Sequence, residues 1–100
     1  MTDRLIVSDA SVLTLAPHIV FRFDEVRKAW IILAPERLML PDEQAVEILQ
    51  LVDGRTGVSA IVDSLAARYS QAPRDLIAKD VTAMLQDLAD KGCLAGAGPD

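Results

Sequence analysis

The sequence predicts an α+β fold, a three-stranded antiparallel sheet followed by three helices. Three observations carry this. Strand-type alternation is confined to residues 18–40, and helix-spaced apolar residues fill 41–91. Proline or glycine marks the breaks, at Pro17, Pro35, Pro41, Gly54, Pro73 and Gly92.

Residues 1–16 show weak periodicity and read as a flexible N-terminal arm, closed by Pro17. From His18 to Asp24, Ile19, Phe21 and Phe23 alternate with Val20, Arg22 and Asp24, as in a half-buried strand. Glu25-Val26-Arg27-Lys28 is a charged hairpin connection, and Ala29–Leu33 is the second strand, stopped by Pro35. Arg37–Leu40 is the third. Leu38 and Leu40 share one of its faces, Arg37 and Met39 the other.

The first helix starts at Pro41, in a first turn where its missing N–H costs nothing, or is capped by Asp42. Ala45, Ile48, Leu49 and Val52 form its apolar stripe, and Gly54 suits its C-cap. Thr56 is a candidate cap for the second helix, whose stripe is Val58, Ile61, Val62, Leu65 and Tyr69. Pro73 opens the third, with Leu76, Ile77, Val81, Met84, Leu85 and Leu88 on one side, and Gly92 ends it. Two helices joined by a short glycine-containing turn, with a third packed across them, read as helix-turn-helix. Residues 95–100 read as a disordered tail.

One hundred residues, 51% of them apolar, fit one domain. No run of about 18 apolar residues occurs, so no membrane-spanning helix is expected. Asp3 and Asp9 and the lack of a basic start speak against a secretory signal. A single cysteine, Cys93, excludes an internal disulfide, and together these features point to the cytoplasm. The net charge is −5, and the stretch from Leu38 onward, with five basic and ten acidic residues, carries all of it. Nucleic-acid binding leans on Lys and Arg, so this balance opposes it.

The order of features from Leu33 to Ile61 and beyond resembles the PqqD family. The residues that carry the likeness are Pro35-Glu36 before a short strand, Leu38 and Leu40 within it, and Ala45-x-x-Ile48-Leu49 in the first helix. They continue through Asp53-Gly54, Ile61-x-x-x-Leu65 with Tyr69, and Val81-x-x-x-Leu85-x-x-Leu88. Pro41, where a capping residue such as Asn is expected, and Gly57 depart from the pattern. The likeness covers residues 17–94 as one peptide-recognition domain. It implies the peptide-binding variant of the winged helix-turn-helix, with no catalytic residue and no cofactor. It further implies a chaperone that binds the ribosomally made precursor peptide PqqA. On that resemblance the bound peptide would be presented to the radical S-adenosylmethionine (SAM) enzyme PqqE in pyrroloquinoline quinone (PQQ) biosynthesis. The alternatives are a recognition element for another modified peptide, or a winged-helix DNA-binding regulator. The third helix, from Pro73 to Lys91, sets Asp75, Asp80, Asp87 and Asp90 against Arg74, Lys79 and Lys91, a poor match to phosphate.

A peptide-binding mode follows from strand chemistry. A sheet edge presents unpaired N–H and C=O groups, to which an extended peptide can add as another strand. The third strand is the expected edge, because the chain leaves it directly for the helices. Leu38 and Leu40 from the strand, with Val81, Met84, Leu85 and Leu88 from the third helix, would line a groove. Arg37 and Met39 would meet peptide side chains on the open face. Apolar residues at these spacings more often belong to the core, and Met84, with its adaptable thioether, suits a groove better than the leucines.

His18 and Cys93 are too few for a metal site and lack the third member of a catalytic set. Asp42-Glu43 and Asp87-x-x-Asp90 read as solvated helix faces. Gly54-Arg55-Thr56-Gly57 lacks the lysine of a phosphate loop and reads as a turn. The chain is expected to be mainly monomeric in dilute solution, with an edge-paired or strand-swapped dimer admitted when concentrated.

Overall fold

A computed structural model describes residues 5–97. Eight elements follow in order: β1 (Leu13–Leu15), β2 (Val20–Asp24), β3 (Ala29–Ala34), β4 (Arg37–Met39), α1 (Glu43–Leu49), α2 (Val58–Arg68), α3 (Arg74–Asp90) and β5 (Leu94–Gly96). The expected sheet is present, antiparallel in the order β2-β3-β4. The three helices follow it. A second, two-stranded sheet pairs β1 with β5.

Local chemistry explains the boundaries. The expected first strand loses His18 and Ile19 to a turn. Pro17 stands at its second position and His18 at its third with φ 72°, while the Ile19 N–H donates to the Ala16 carbonyl at 3.2 Å. A proline followed by a left-handed residue is the pattern of a type II turn. Asp24 closes the β2–β3 hairpin: its carboxylate accepts from the Val26 N–H at 3.0 Å and from Arg27 Nη1 at 2.7 Å. Asp42 caps α1, accepting from the Ala45 N–H at 2.8 Å. The cap position of α2 is Gly57, not Thr56, and it has no side chain to offer. Thr56 instead donates its hydroxyl to Asp53 Oδ2 at 3.0 Å, and the orphan amides of α2 are met elsewhere. Gly92, at φ 82°, ends α3 with the two bonds of a Schellman motif, Cys93 N–H to Leu88 C=O and Gly92 N–H to Ala89 C=O.

The N-terminal segment and the tail differ from the sequence expectation. Residues 1–4 and 98–100 lie outside the described residues. Within residues 5–16, Val7 and Leu13 are buried in the core. The Ser11 and Asp9 carbonyls accept from the Val58 and Ser59 N–H groups, supplying the N-terminus of α2 that has no side-chain cap. Gln86 of α3 accepts from the Val7 N–H and donates to the Leu5 carbonyl, both at 2.8 Å. Leu15 pairs with Leu94 and Leu13 with Gly96, so Ala95 and Gly96 of the expected tail are strand.

The core joins one face of the large sheet to all three helices. Ile32 supplies it from β3, with Phe21 and Met39 packed against it. From the helices come Ile48, Leu49, Val58, Ile61, Leu65, Val81 and Leu85. Trp30 lies on the same sheet face, stacked on Phe21 at 4.8 Å and edge-on to Phe23 at 5.9 Å.

Candidate functional site

The sheet has two edges, β2 and β4. A cleft of ≈ 510 Å³ lies between Phe23 and Trp30 of the sheet and α1, and β4 faces α3 across a separate groove. Met39, Leu40, Met84 and Leu88 come together there with Ile32 and Ala45 around a cavity of ≈ 260 Å³. Its ends carry Asp42, which caps α1, and Asp87, paired with Lys91 at 2.9 Å. Arg37 holds β4 against α3, its Nη2 donating to the Lys91 carbonyl at 3.0 Å. That bond satisfies one of the carbonyls a helix leaves open at its C-terminus.

The register sets which groups face outward. Ala34 pairs with Arg37, Leu33 with Leu38 and Ile32 with Met39 across a two-residue Pro35-Glu36 connection. The pair closing such a turn is hydrogen-bonded, and bonded pairs alternate along an antiparallel ladder. Arg37 and Met39 therefore turn their backbone groups toward β3. Leu38 turns its N–H and C=O to the open edge.

The same register reverses the faces expected for β4. Met39, opposite buried Ile32, faces the helices with Arg37. Leu38 points away from them at 37% exposure, and Leu40, past the strand end, is 63% exposed and swings to the groove rim. Alternation fixes which residues share a face but not which face is inward, and the leucines outranked an arginine and a methionine on hydrophobicity alone. Of the four α3 residues singled out, Met84 and Leu88 line the groove. Val81 and Leu85, at 2% and 0% exposure, are core. Ile32, Ala45 and Asp87 were missed as lining residues. A groove between a strand and a helix 45 residues later has no local signal.

Cys93 is fully buried, and burial pushes its thiol up. No group of three potential metal ligands occurs among the described residues. No helix among them is long and apolar enough to cross a membrane.

Three carboxyls are held below the usual carboxylate range. The Arg27 guanidinium does this for Asp24, the Tyr69 hydroxyl and then Arg68 for Glu47, and the Thr56 and Arg55 amides for Asp53. A lowered folded-state pKa adds stability that is present above the unfolded value, about pH 4, and is lost as pH falls through the depressed values. Thermal melts followed by circular dichroism should therefore hold a level Tm down to about pH 5 and fall below about pH 4. Asp24→Asn should lower the neutral-pH Tm and flatten that acid limb. An unchanged acid limb in this variant would remove Asp24 from the account.

A small α+β domain with an open strand edge beside an apolar groove has the architecture of a peptide-recognition module. Comparison with known proteins gives the particular family. Residues 29–94 match the family described as coenzyme PQQ synthesis protein D (PqqD). A PqqA binding protein of Rhodopseudomonas palustris (strain TIE-1) is 57% identical over 94 residues, covering 94% of this chain and 91% of that one. The bifunctional coenzyme PQQ synthesis protein C/D of Methylorubrum extorquens is 42% identical over 87 residues, which are 87% of this chain and 23% of that longer protein. The solution NMR structure of the PqqD truncation of Methylobacterium extorquens PqqCD superimposes with a TM-score of 0.73 at 42% identity. It covers 89% of this chain and 94% of that one. That truncation is described as a functional, stand-alone recognition element for ribosomally synthesized and post-translationally modified peptides. The chain belongs to the PqqD family, and it is a recognition protein rather than a catalyst.

Proposed function

We propose that this protein binds the precursor peptide PqqA as an added strand on β4, in the groove facing α3, and presents it to the radical SAM enzyme PqqE in the cytoplasm. The observation that carries the reading is the open edge of β4 at Leu38, set beside the cavity of ≈ 260 Å³ that Met39, Leu40, Met84 and Leu88 line. Backbone pairing along Leu38 supplies affinity, and the groove takes alternate side chains of the peptide. Of the sequence-derived candidates, Leu38 offers backbone, Met39, Leu40, Met84 and Leu88 offer surface, and Arg37 holds the strand in place. The names borne by the relatives support the choice of PqqA. The acidic helical half supports a peptide over DNA, since DNA binding draws on counterion release by Lys and Arg.

Titration of isotope-labelled protein with PqqA tests it. The largest amide shifts are expected at Arg37–Leu40 and along Met84–Lys91. Shifts concentrated on α2, with β4 silent, would refute this mode.

A further inference from the structure

A peptide strand on the β4 edge bonds at Leu38, the residue whose N–H and C=O face outward. Arg37 and Met39 turn their own backbone groups to β3, so toward the peptide they stand at non-bonded positions. In an antiparallel pair these positions bring the two chains closest, with Cα atoms about 4.5 Å apart against about 5.5 Å at bonded positions. Directly opposed side chains share a face and touch. The peptide residue opposite Met39 therefore points into the cavity with Met84 and Leu88. The peptide residue two positions along points at Arg37.

The two positions differ in chemistry. The first is apolar, between Ile32, Met39, Met84 and Leu88. The second is cationic. Arg37 is exposed and has no carboxylate partner among the described residues. Its Nη2 is anchored on the Lys91 carbonyl at 3.0 Å, at the end of the groove that Lys91 also lines. That bond uses one donor of a planar fork and leaves the others for a carboxylate, which arginine matches in bidentate geometry. A guanidinium already held in place loses less side-chain freedom when a ligand arrives. The acidic lining residues do not compete for it: Asp87 is neutralised by Lys91 at 2.9 Å, and Asp42 is engaged as the cap of α1. The chain carries a net charge of −5, so a peptide carboxylate is repelled at most other placements on it.

We propose that Arg37 selects the peptide and fixes its register by pairing with an aspartate or glutamate two residues from an aliphatic side chain seated on Met39, Met84 and Leu88. The ligand class is an extended segment that shows one carboxylate and one aliphatic side chain on the same face. Arg37 thus reads the peptide as well as holding β4 to α3. The inference rests on strand addition at β4, as proposed above.

Calorimetry tests it with wild type, Arg37→Gln and Arg37→Glu, each shown to be folded by circular dichroism. The ligands are PqqA and PqqA peptides in which each acidic residue in turn is replaced by lysine. PqqA binding is expected to weaken several-fold in Arg37→Gln and at least about tenfold in Arg37→Glu, where attraction becomes repulsion. Added salt should weaken PqqA binding to wild type more than to Arg37→Gln. One lysine-substituted peptide should bind Arg37→Glu at least about tenfold better than PqqA does. That rescue reports a charge pair, which a merely structural role in holding β4 cannot produce. The pairing is overturned if Arg37→Gln and Arg37→Glu bind PqqA equally well, or if no substituted peptide restores binding to Arg37→Glu. In both cases amide shifts of labelled wild type at Arg37–Leu40 would leave strand addition standing. Wild type with β4 silent on addition of PqqA would overturn strand addition itself, and the pairing with it.

Discussion

Replacing Leu38 with proline is expected to abolish PqqA binding while leaving a folded domain. Leu38 is the residue of β4 whose N–H and C=O face the open edge, because its partner Leu33 sits between the bonded pairs Ala34–Arg37 and Ile32–Met39. Proline removes that outward N–H and puts a ring where an incoming strand must approach. On an edge strand, with the missing N–H turned to solvent, proline is tolerated. One lost backbone bond costs about 0.5–1.5 kcal/mol. With the steric block added, the affinity loss should exceed about tenfold, which corresponds to about 1.4 kcal/mol. Met39→Pro is the matched control. Its N–H belongs to the ladder with Ile32 and its side chain packs on the core, so this variant should lose stability first. Calorimetry with PqqA and thermal melts of both variants decide the matter. Full PqqA affinity in a folded Leu38→Pro protein would rule out strand addition at β4.

The helices were legible because each repeats an apolar residue every three or four positions over two or more turns. Ile48 and Leu49, then Ile61, Val62 and Leu65, then Val81, Leu85 and Leu88 are buried as that spacing implies. The β2–β3 hairpin was legible for a similar reason, with alternation over five paired positions. What stayed hidden was long-range. β1 and β5 have three residues each, too few for a period to show, and their pairing of Leu13–Leu15 with Leu94–Gly96 spans about 80 positions. That pairing was not legible because the two segments look apolar and aimless apart and make a sheet only together. The inward face of β4 was hidden too. It depends on the register with Ile32, which is set across the hairpin and not within the strand. The family resemblance, by contrast, was readable, because it rested on the order of several weak features and not on any one of them.

Leu85→Ala should be among the most destabilising substitutions in the molecule, and it separates core from groove on α3. Leu85 is fully buried in the third and longest helix and belongs to the cluster that joins α3 to α1, α2 and β3. Truncation deletes its packing and leaves a cavity that the surrounding helices cannot close, a loss of about 2–5 kcal/mol. Small domains have only about 5–15 kcal/mol in all. For a domain of this size about 4–8 °C of Tm is lost per kcal/mol, so the midpoint should fall by at least about 8 °C. The folded fraction should still bind PqqA with near-native affinity, since Leu85 does not line the β4 groove. Met84, one residue earlier and half-buried at that groove, should behave the other way. Met84→Ala should cost less stability than Leu85→Ala and weaken PqqA binding several-fold. Denaturant melts and peptide titrations on the two variants give four numbers. If Leu85→Ala lost PqqA affinity with its midpoint unchanged, Leu85 would be a peptide contact, and the division of α3 into a core face and a groove face would be wrong.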